Sequence, residues 1–326
     1  MNLVECIPNF SEGRNPQIIQ AIADAIQSVP NVWLLHIDTG HDAHRTVYTF
    51  VGDILTIGEA AFRAITTAHE LINMEDHFGE HPRMGACDVC PFVPLGDTPM
   101  ESIIQLTHDL GKRLGLENIP IYMYENSAQK PQRKNLAFLR KGEYEGLEGK
   151  LKLIEHLPDY GPVVFNKKFG AMVLGARPFL IAYNVNLESK DVGIAKKIAA
   201  TIREKGYHDE NGHHDGLLKG VKAIGWWMEE YQCAQVSTNI VDTQLSDVKD
   251  VFDAVRDEAK KYNIDVITSE LIGLIPLDMI LKAGRKITPK ETNVEILQSI
   301  VFNYLGWRNI GEERIIEKVL DKLMKN

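Results

Sequence analysis

The sequence predicts an α+β fold built as two ferredoxin-like α/β subdomains, each a mixed or antiparallel sheet with helices packed on one face. Three observations lead there. Short apolar runs of strand length alternate with segments whose apolar residues recur at three- and four-residue spacing. The order strand, capped helix, strand in residues 88–124 returns in residues 234–268, so two halves of related build are expected. The 326 residues suffice for about two domains. Antiparallel pairs interleaved with amphipathic helices suit ferredoxin-like layers, and a cleft between two such halves is the default place for a ligand.

Residues 4–7 read as a first strand, ending in a turn at 8–13. Asn15 and Pro16 make a helix start, with Asn as cap, Pro at the first helical position and Ile18, Ile19, Ile22, Ala23 and Ile26 as the apolar stripe. Strands follow at 32–37 and 46–51, separated by a polar loop at 41–44. Asp53 is expected to cap a helix carrying Ile57, Ala61, Ala64, Ile65, Ala68, Leu71 and Ile72. The run 89–93 reads as a buried strand. Thr98, Pro99 and Glu101 read as a capping box opening a helix with Ile103, Ile104, Thr107, Leu110 and Leu114 on one face, before a strand at 119–124. The charged stretch 129–152 reads as helix, turn and helix on the surface.

The pattern of elements starts again near Pro158–Pro162, and the subdomains are placed at 1–180 and 181–326. Strands are expected at 179–185, 221–228, 234–241 and 265–268. Helices are expected after Ser189, with Ala195, Ile198, Ala199 and Ile202 inward, and after Ser246, with Val248, Val251, Phe252, Val255 and Ala259 inward. From Thr288 onward the chain reads as helical.

Apolar content of 44% and charged content of 25% are ordinary for a globular protein. A net charge of −9 works against nucleic-acid or anionic-membrane partners, which need a basic surface. No run of about 18 apolar residues suggests a membrane span, and Glu5 in an N-terminus without a basic region argues against a leader, so a cytoplasmic protein is expected. Four cysteines suit a reducing compartment. Cys87 and Cys90 form a C-x-x-C without a second pair, and residues three apart in a strand point to opposite faces, so small buried hydrophobes are the expectation.

The stretch GEHPRMGACDVCPFVPL, residues 79–95, organises the chain. Pro82 holds His81 extended, and the imidazole sits on a charged loop at the mouth of a strand, a placement that suits acid/base work. Asp38 ends one strand and Arg45 begins the next, so a carboxylate and a guanidinium meet on one sheet edge, as a catalytic pair or as a turn salt bridge. His41, His44, His77 and His81 have spacings that zinc accepts on a helix, but Gly40 and Gly79 make both segments loops, and polar loop histidines fit better. His208, His213 and His214 fall in a hydrophilic turn. Lys167 and Lys168 with Phe169, Gly170 and Ala171 form either a cradle for a flat acidic ligand or a charged hairpin. Ser237 and Asn239 place polar groups along an otherwise apolar strand, where a ligand is one candidate partner.

These residues carry a resemblance. VECIPNFSEG at 4–13, RTVYTFVG at 45–52, GEHPRMGACDVCPF at 79–92, GARPFLIAYNVNL at 175–187 and AQVSTN at 234–239 together are similar to the glutamate formimidoyltransferase family, the formiminotransferase part of formiminotransferase-cyclodeaminase. The resemblance implies two α/β subdomains facing a substrate tunnel. It implies transfer of the formimino group from N-formimino-L-glutamate to N5 of tetrahydrofolate in histidine degradation, with tetrahydrofolate as co-substrate and no metal. It places the catalytic histidine at His81 and the folate-binding segment at Pro162, Val163, Val164, Phe165, Asn166, Lys167, Lys168, Phe169, Gly170 and Ala171. Asp38 and Arg45 match motif positions; Asp38 is read as steadying the cationic amidine or orienting His81, and Arg45, Arg83, Lys167 and Lys168 as taking substrate carboxylates. A homodimer is expected from the family. Because the chain ends at Asn326, a separate cyclodeaminase is expected downstream. Cys87 stands where an apolar residue is common in the family. Formyl transfer on the same scaffold and a non-catalytic folate-binding protein are the alternatives, and a zinc hydrolase would need bound metal.

Overall fold

The computed structural model describes residues 3–307 and 310–325; Met1, Asn2 and Asn326, which the readings of the two chain ends touch, lie outside them. The chain divides into two compact units, Met1–Arg177 and Pro178–Asn326.

The first unit runs β1 (Leu3–Cys6), β2 (Asn9–Phe10), α1 (Pro16–Gln27), β3 (Val32–Gly40), β4 (Arg45–Asp53), α2 (Ile57–Leu71), β5 (Cys87–Pro94), α3 (Met100–Leu116), β6 (Ile121–Met123), α4 (Leu136–Arg140), α5 (Leu147–Lys150) and β7 (Met172–Ala176). Strands β3, β4, β1 and β5 lie side by side, each pair antiparallel, which is the ferredoxin-like arrangement. Two parallel strands extend it: β7 pairs with β5, and β6 pairs with β7. Helix α3 carries the chain from β5 to β6, and the long stretch holding α4 and α5 returns it to β7 between them. Helices α1, α2 and α3 turn Ile22, Ile26, Ala64, Ile65, Ile103 and Leu114 against Phe10, Tyr48, Phe50 and Phe92 of the sheet. On the opposite face Leu139 and Leu147 cover Met84, Val89, Tyr122, Tyr124 and Val173.

The second unit runs β8 (Ile181–Leu187), α6 (Val192–Ile202), a hairpin of β9 (Tyr207–Asp209) and β10 (Gly212–His214), β11 (Val221–Met228), β12 (Cys233–Ile240), α7 (Val248–Lys260), β13 (Val266–Ile272), α8 (Leu277–Ile287), α9 (Val294–Tyr304) and α10 (Ile316–Met324). The sheet order is β11, β12, β8, β13, antiparallel throughout. Tyr183, Val185, Ala223, Val236 and Leu271 of its strands join α6, α7, α8 and α9 in one core.

The internal repeat is real but offset by one element from the sequence expectation. The matching order is β1, α1, β3, β4, α2, β5 against β8, α6, β11, β12, α7, β13, with the same three antiparallel pairings in each. Residues 88–124 align poorly with 234–268 because β5, α3 and β6 include the extension peculiar to the first unit. The stretch from Pro158 likewise belongs to the first unit, since β7 lies between β5 and β6. Strand β7 escaped the sequence reading because both its faces are buried, so MVLGA shows no alternation.

Local capping follows chemistry in some places and not in others. Asn15 accepts from the N–H groups of Gln17 and Ile18 as expected. Asp53 instead closes a turn, accepting from Leu55 N at 3.0 Å, and α2 starts after Thr56. Thr98 does not form a capping box; its hydroxyl donates to the carbonyl of Leu3, tying the start of α3 to β1. The box at α7 is made by Asp247 and Asp250, not Ser246, whose hydroxyl donates to the carbonyl of Lys219. Helix α8 lies before the helical region expected from Thr288. The stretch 129–152 is not a plain surface hairpin, because Arg133, Leu139 and Leu147 are buried.

Cys87 and Cys90 both enter the same core, contrary to the alternation argument. The cause is a register shift: Phe10 faces Cys87 while Asn9 faces Val89, so one extra residue of β5 is accommodated and the period resets. Cys90 Sγ lies 3.6 Å from Cys6 Sγ, and all four cysteines are unbridged and buried.

Candidate active site

The residue accommodated by that bulge is Asp88. Its carboxylate is fully buried and accepts from Arg45 Nη1 at 2.7 Å, from Arg140 through both Nε and Nη2, and from the backbone N–H of Met84 at 2.9 Å. Arg45 is the first residue of β4, Arg140 the last of α4, and Met84 lies on the His81 loop, so one side chain gathers three segments. Arg45 is also steadied by Asn9, whose Oδ1 accepts from Nε at 3.0 Å. Burial raises the Asp88 pKa, but the two guanidinium groups outweigh that and hold it below the usual carboxylate range.

His81 is half-buried beside this cluster. Its Nδ1 lies 2.7 Å from the carbonyl of Pro82, so Nδ1–H donates there and Nε2 carries the lone pair. Burial, then Arg45 and Arg140, drive its pKa well below the ordinary histidine value, while Asp88 and the Pro82 carbonyl act the other way. These surroundings favour the neutral ring, in which Nε2 is the basic nitrogen. The loop is pressed onto the 41–44 turn: a Cβ on Gly79 would lie 2.5 Å from Ala43 O and 2.7 Å from His44 Cβ.

Behind the loop, His44 and His77 stack with ring centres 4.2 Å apart. His44 faces an acceptor at each nitrogen, the carbonyl of Phe78 and Glu12 Oε1. His77 Nε2 donates to the carbonyl of His44 at 2.8 Å, and its Nδ1 accepts from Arg83 Nε at 3.3 Å. These two rings are loop histidines packed into the structure through their hydrogen bonds and their stacking. Among the described residues, no group of three or more His, Cys, Asp or Glu side chains is arranged to hold a metal ion.

Arg83 is buried and engaged. Its guanidinium makes a two-pronged pair with Glu145 at 2.7 and 2.9 Å, reaches Glu143 at 3.2 Å and donates to the carbonyl of His77. It holds the loop through residues of its own chain. A cleft of about 430 Å³ opens beside it, lined by Arg14, Asp42, Phe78, Gly79, Glu80, Arg83 and Glu145.

The segment 162–171 runs next to the base of the His81 loop. Ala86 N donates to Phe169 O at 2.7 Å and Ala171 N to Met84 O at 3.1 Å. Phe169, Gly170 and Ala171 are buried in this pairing, Lys168 Nζ donates to the carbonyl of Glu70, and Val163 and Val164 stand exposed with Lys167. Phe165 lies against Tyr144, ring centres 5.3 Å apart. Asp38 sits in β3 opposite Val47, its carboxylate 3.8 Å from His36 Nε2.

In the second unit Ser237 and Asn239 share with Gln235 the sheet face opposite the helices. There Trp226 Nε1 donates to Gln235, Gln235 to Asn186 and Asn186 to Thr268, while Asn184 and Tyr231 donate to Glu270. Gln235 is a member of this network, and Ser237 and Asn239 lie on the same face of the sheet. The sequence reading missed Asp88 and Arg140. A charge within the apolar run ACDVCPF needs a buried partner, and that was a usable signal for Asp88; Arg140 lies in a stretch that reads as surface.

The chain is thus a two-unit α+β protein in which a ferredoxin-like arrangement occurs twice, and its first unit carries a loop-mounted imidazole beside buried guanidinium groups. The description "Formiminotransferase domain, N-terminal subdomain" matches residues 3–177, and "Formiminotransferase domain" matches residues 182–324. The chain belongs to the formiminotransferase family. It is 44% identical over 324 residues to formimidoyltransferase-cyclodeaminase of Mus musculus, a match covering 97% of this chain and 59% of that protein. It is 42% identical to the glutamate formimidoyltransferase of Thermoplasma acidophilum, covering 99% and 98% of the two chains. With that of Streptococcus pyogenes the identity is 42%, covering 84% and 89%. The chain thus spans somewhat under two thirds of the longer two-function relatives.

Proposed function

We propose that the chain transfers the formimino group of N-formimino-L-glutamate to N5 of tetrahydrofolate, releasing L-glutamate and 5-formiminotetrahydrofolate. The observation that carries this reading is the tautomer of His81, whose Nδ1–H donates to the Pro82 carbonyl and so leaves the basic lone pair of the ring on Nε2. N5 attacks the amidine carbon and forms a C–N bond; His81 Nε2 takes the proton N5 sheds. The tetrahedral carbon then expels the glutamate nitrogen, which takes that proton back from His81 as its own C–N bond breaks. Proton, bonds and charge balance without another reactant. Substrate carboxylates arriving near Arg45 and Arg140 favour the imidazolium that the first step creates.

Within this reading the exposed Val163 and Val164, with half-buried Phe165 beside them, offer apolar contact for the folate ring system, and Lys167 an exposed cation for its acidic end. Phe169, Gly170 and Ala171 act as the buried root of that segment. Arg83 shapes the loop, while Asp38, Ser237 and Asn239 remain candidates for substrate contact. Within the same reading the chain works in the cytoplasm as a homodimer. Among the described residues, no helix is long and apolar enough to cross a membrane.

The test supplies both substrates and follows the acid-induced cyclisation of 5-formiminotetrahydrofolate by absorbance. His81→Ala is expected to lose about 10²- to 10⁴-fold in turnover with its circular dichroism unchanged. Full activity in that variant removes the catalytic assignment. Transfer from N-formylglutamate alone replaces the formimino reading with formyl transfer.

A further inference from the structure

We propose that Asp88 is the positioning residue of this site, its buried carboxylate binding Arg45, Arg140 and the Met84 N–H at once so that the imidazole and two guanidinium groups meet the substrate as one fixed array. The inference deepens the transfer reading above and rests on it only for the meaning of the array.

The geometry is specific. Arg45 and Arg140 come from β4 and α4, 95 positions apart in the chain, and both donate to Asp88 Oδ2. Two guanidinium groups brought together repel each other, and Asp88 is the acceptor that joins them. The remaining oxygen, Oδ1, accepts the N–H of Met84, three residues beyond His81, and so fixes the end of the catalytic loop. The bulge in β5 is what brings this carboxylate to bear, since Asp88 falls between the Phe10–Cys87 and Asn9–Val89 pairs.

The charged groups acting on His81 are Arg45 of β4, Asp88 of β5 and Arg140 of α4, with the Pro82 carbonyl. Arg83 lies next along the loop and is paired with Glu143 and Glu145 from the segment between α4 and α5. The two kinds of partner oppose each other: the arginines disfavour the imidazolium and Asp88 favours it. Removing Asp88's charge therefore makes His81 harder to protonate, and removing Arg140 makes it easier. A cluster held too far from His81 to act on it would give no such opposition.

The experiment follows the His81 Cε1–H proton resonance against pH, assigned by its loss in His81→Gln, in the wild type, Asp88→Asn and Arg140→Met. The titration of His81 is expected to move down by about one pH unit in Asp88→Asn and up by a similar amount in Arg140→Met. The acid limb of kcat/KM should move with it. A midpoint unmoved in both variants, or moved the same way in both, overturns the proposal. Should Asp88→Asn fail to fold, Arg140→Met decides alone: an upward shift supports the array and no shift overturns it. The resonance is read without turnover, so an active His81→Gln sinks the catalytic reading while leaving this test intact.

Discussion

His44 and His77 lie face to face, ring centres 4.2 Å apart and planes within 7°, and the carbonyl of His44 accepts the Nε2–H of His77. That bond leaves His77 Nδ1 to accept from Arg83, so protonating Nδ1 would set a positive ring against a guanidinium group.

Burial, opposed by the bond to the His44 carbonyl and aided by His44 and Arg83, lowers the His77 pKa to about 4. Unfolded, the ring takes a proton near pH 6.5. Between those values the unfolded chain holds more protons, so stability is full above about pH 6.5 and is lost as pH falls towards 4. The loss from this group reaches about 1.4 kcal/mol per pH unit. Urea midpoints at pH 7 and pH 5 should differ, and His77→Gln should reduce that difference; an equal drop in the variant rejects the assignment.

Glu12 extends the window downward. Burial raises its pKa, but bonds from His44 and the N–H groups of Asn15 and Arg14 outweigh that and lower it to about 2. Its stabilisation is present above about pH 4.5 and lost as pH falls towards 2, so Glu12→Gln should flatten the curve of urea midpoint against pH in that range, and an unchanged slope there rejects the assignment.

Gly85 lets two segments touch. A Cβ there would lie 2.4 Å from Phe169 O and 2.5 Å from Ala171 O, inside the pairing that roots the 162–171 segment. Gly85→Ala should cost about 1–3 kcal/mol, read as a lower urea midpoint at constant slope. Wild-type stability in the variant would show that the backbone yields.

Arg133 and Asp159 form a buried pair at 2.5 Å, and Arg133 also donates to the carbonyls of Glu155 and Leu157. Arg133→Met leaves Asp159 buried and unmatched, a loss of about 3–5 kcal/mol. The accompanying release of residues 155–160 should appear as faster amide exchange there; protection as in the wild type would argue against this anchor.

The thiols give a cheap check of the core. Burial raises the pKa values of Cys6, Cys87, Cys90 and Cys233. A disulfide reagent at pH 8 is expected to label none of the four in the folded protein and all of them in urea. Rapid labelling of Cys87 or Cys90 in the folded state would contradict the packing of β5.

Where a signal is local, the chain announces it. The stripe of α1, its Asn15 and Pro16 start, the alternation of β11 and β12 and the histidine on its Gly-Pro loop all follow from residues within a few positions of one another, because backbone propensity and side-chain period act over that range. Motifs spread along the chain also carried the family resemblance. What folding alone decided is longer in reach. The bulge that sends Cys87 and Cys90 into one core, the insertion of β7 between β5 and β6, and the meeting of Arg45, Asp88 and Arg140 depend on strand order and packing between segments tens of residues apart. No local pattern encodes which distant charge a buried carboxylate will find. That choice is made when the sheet closes and an unpaired Asp88 would be too costly to bury.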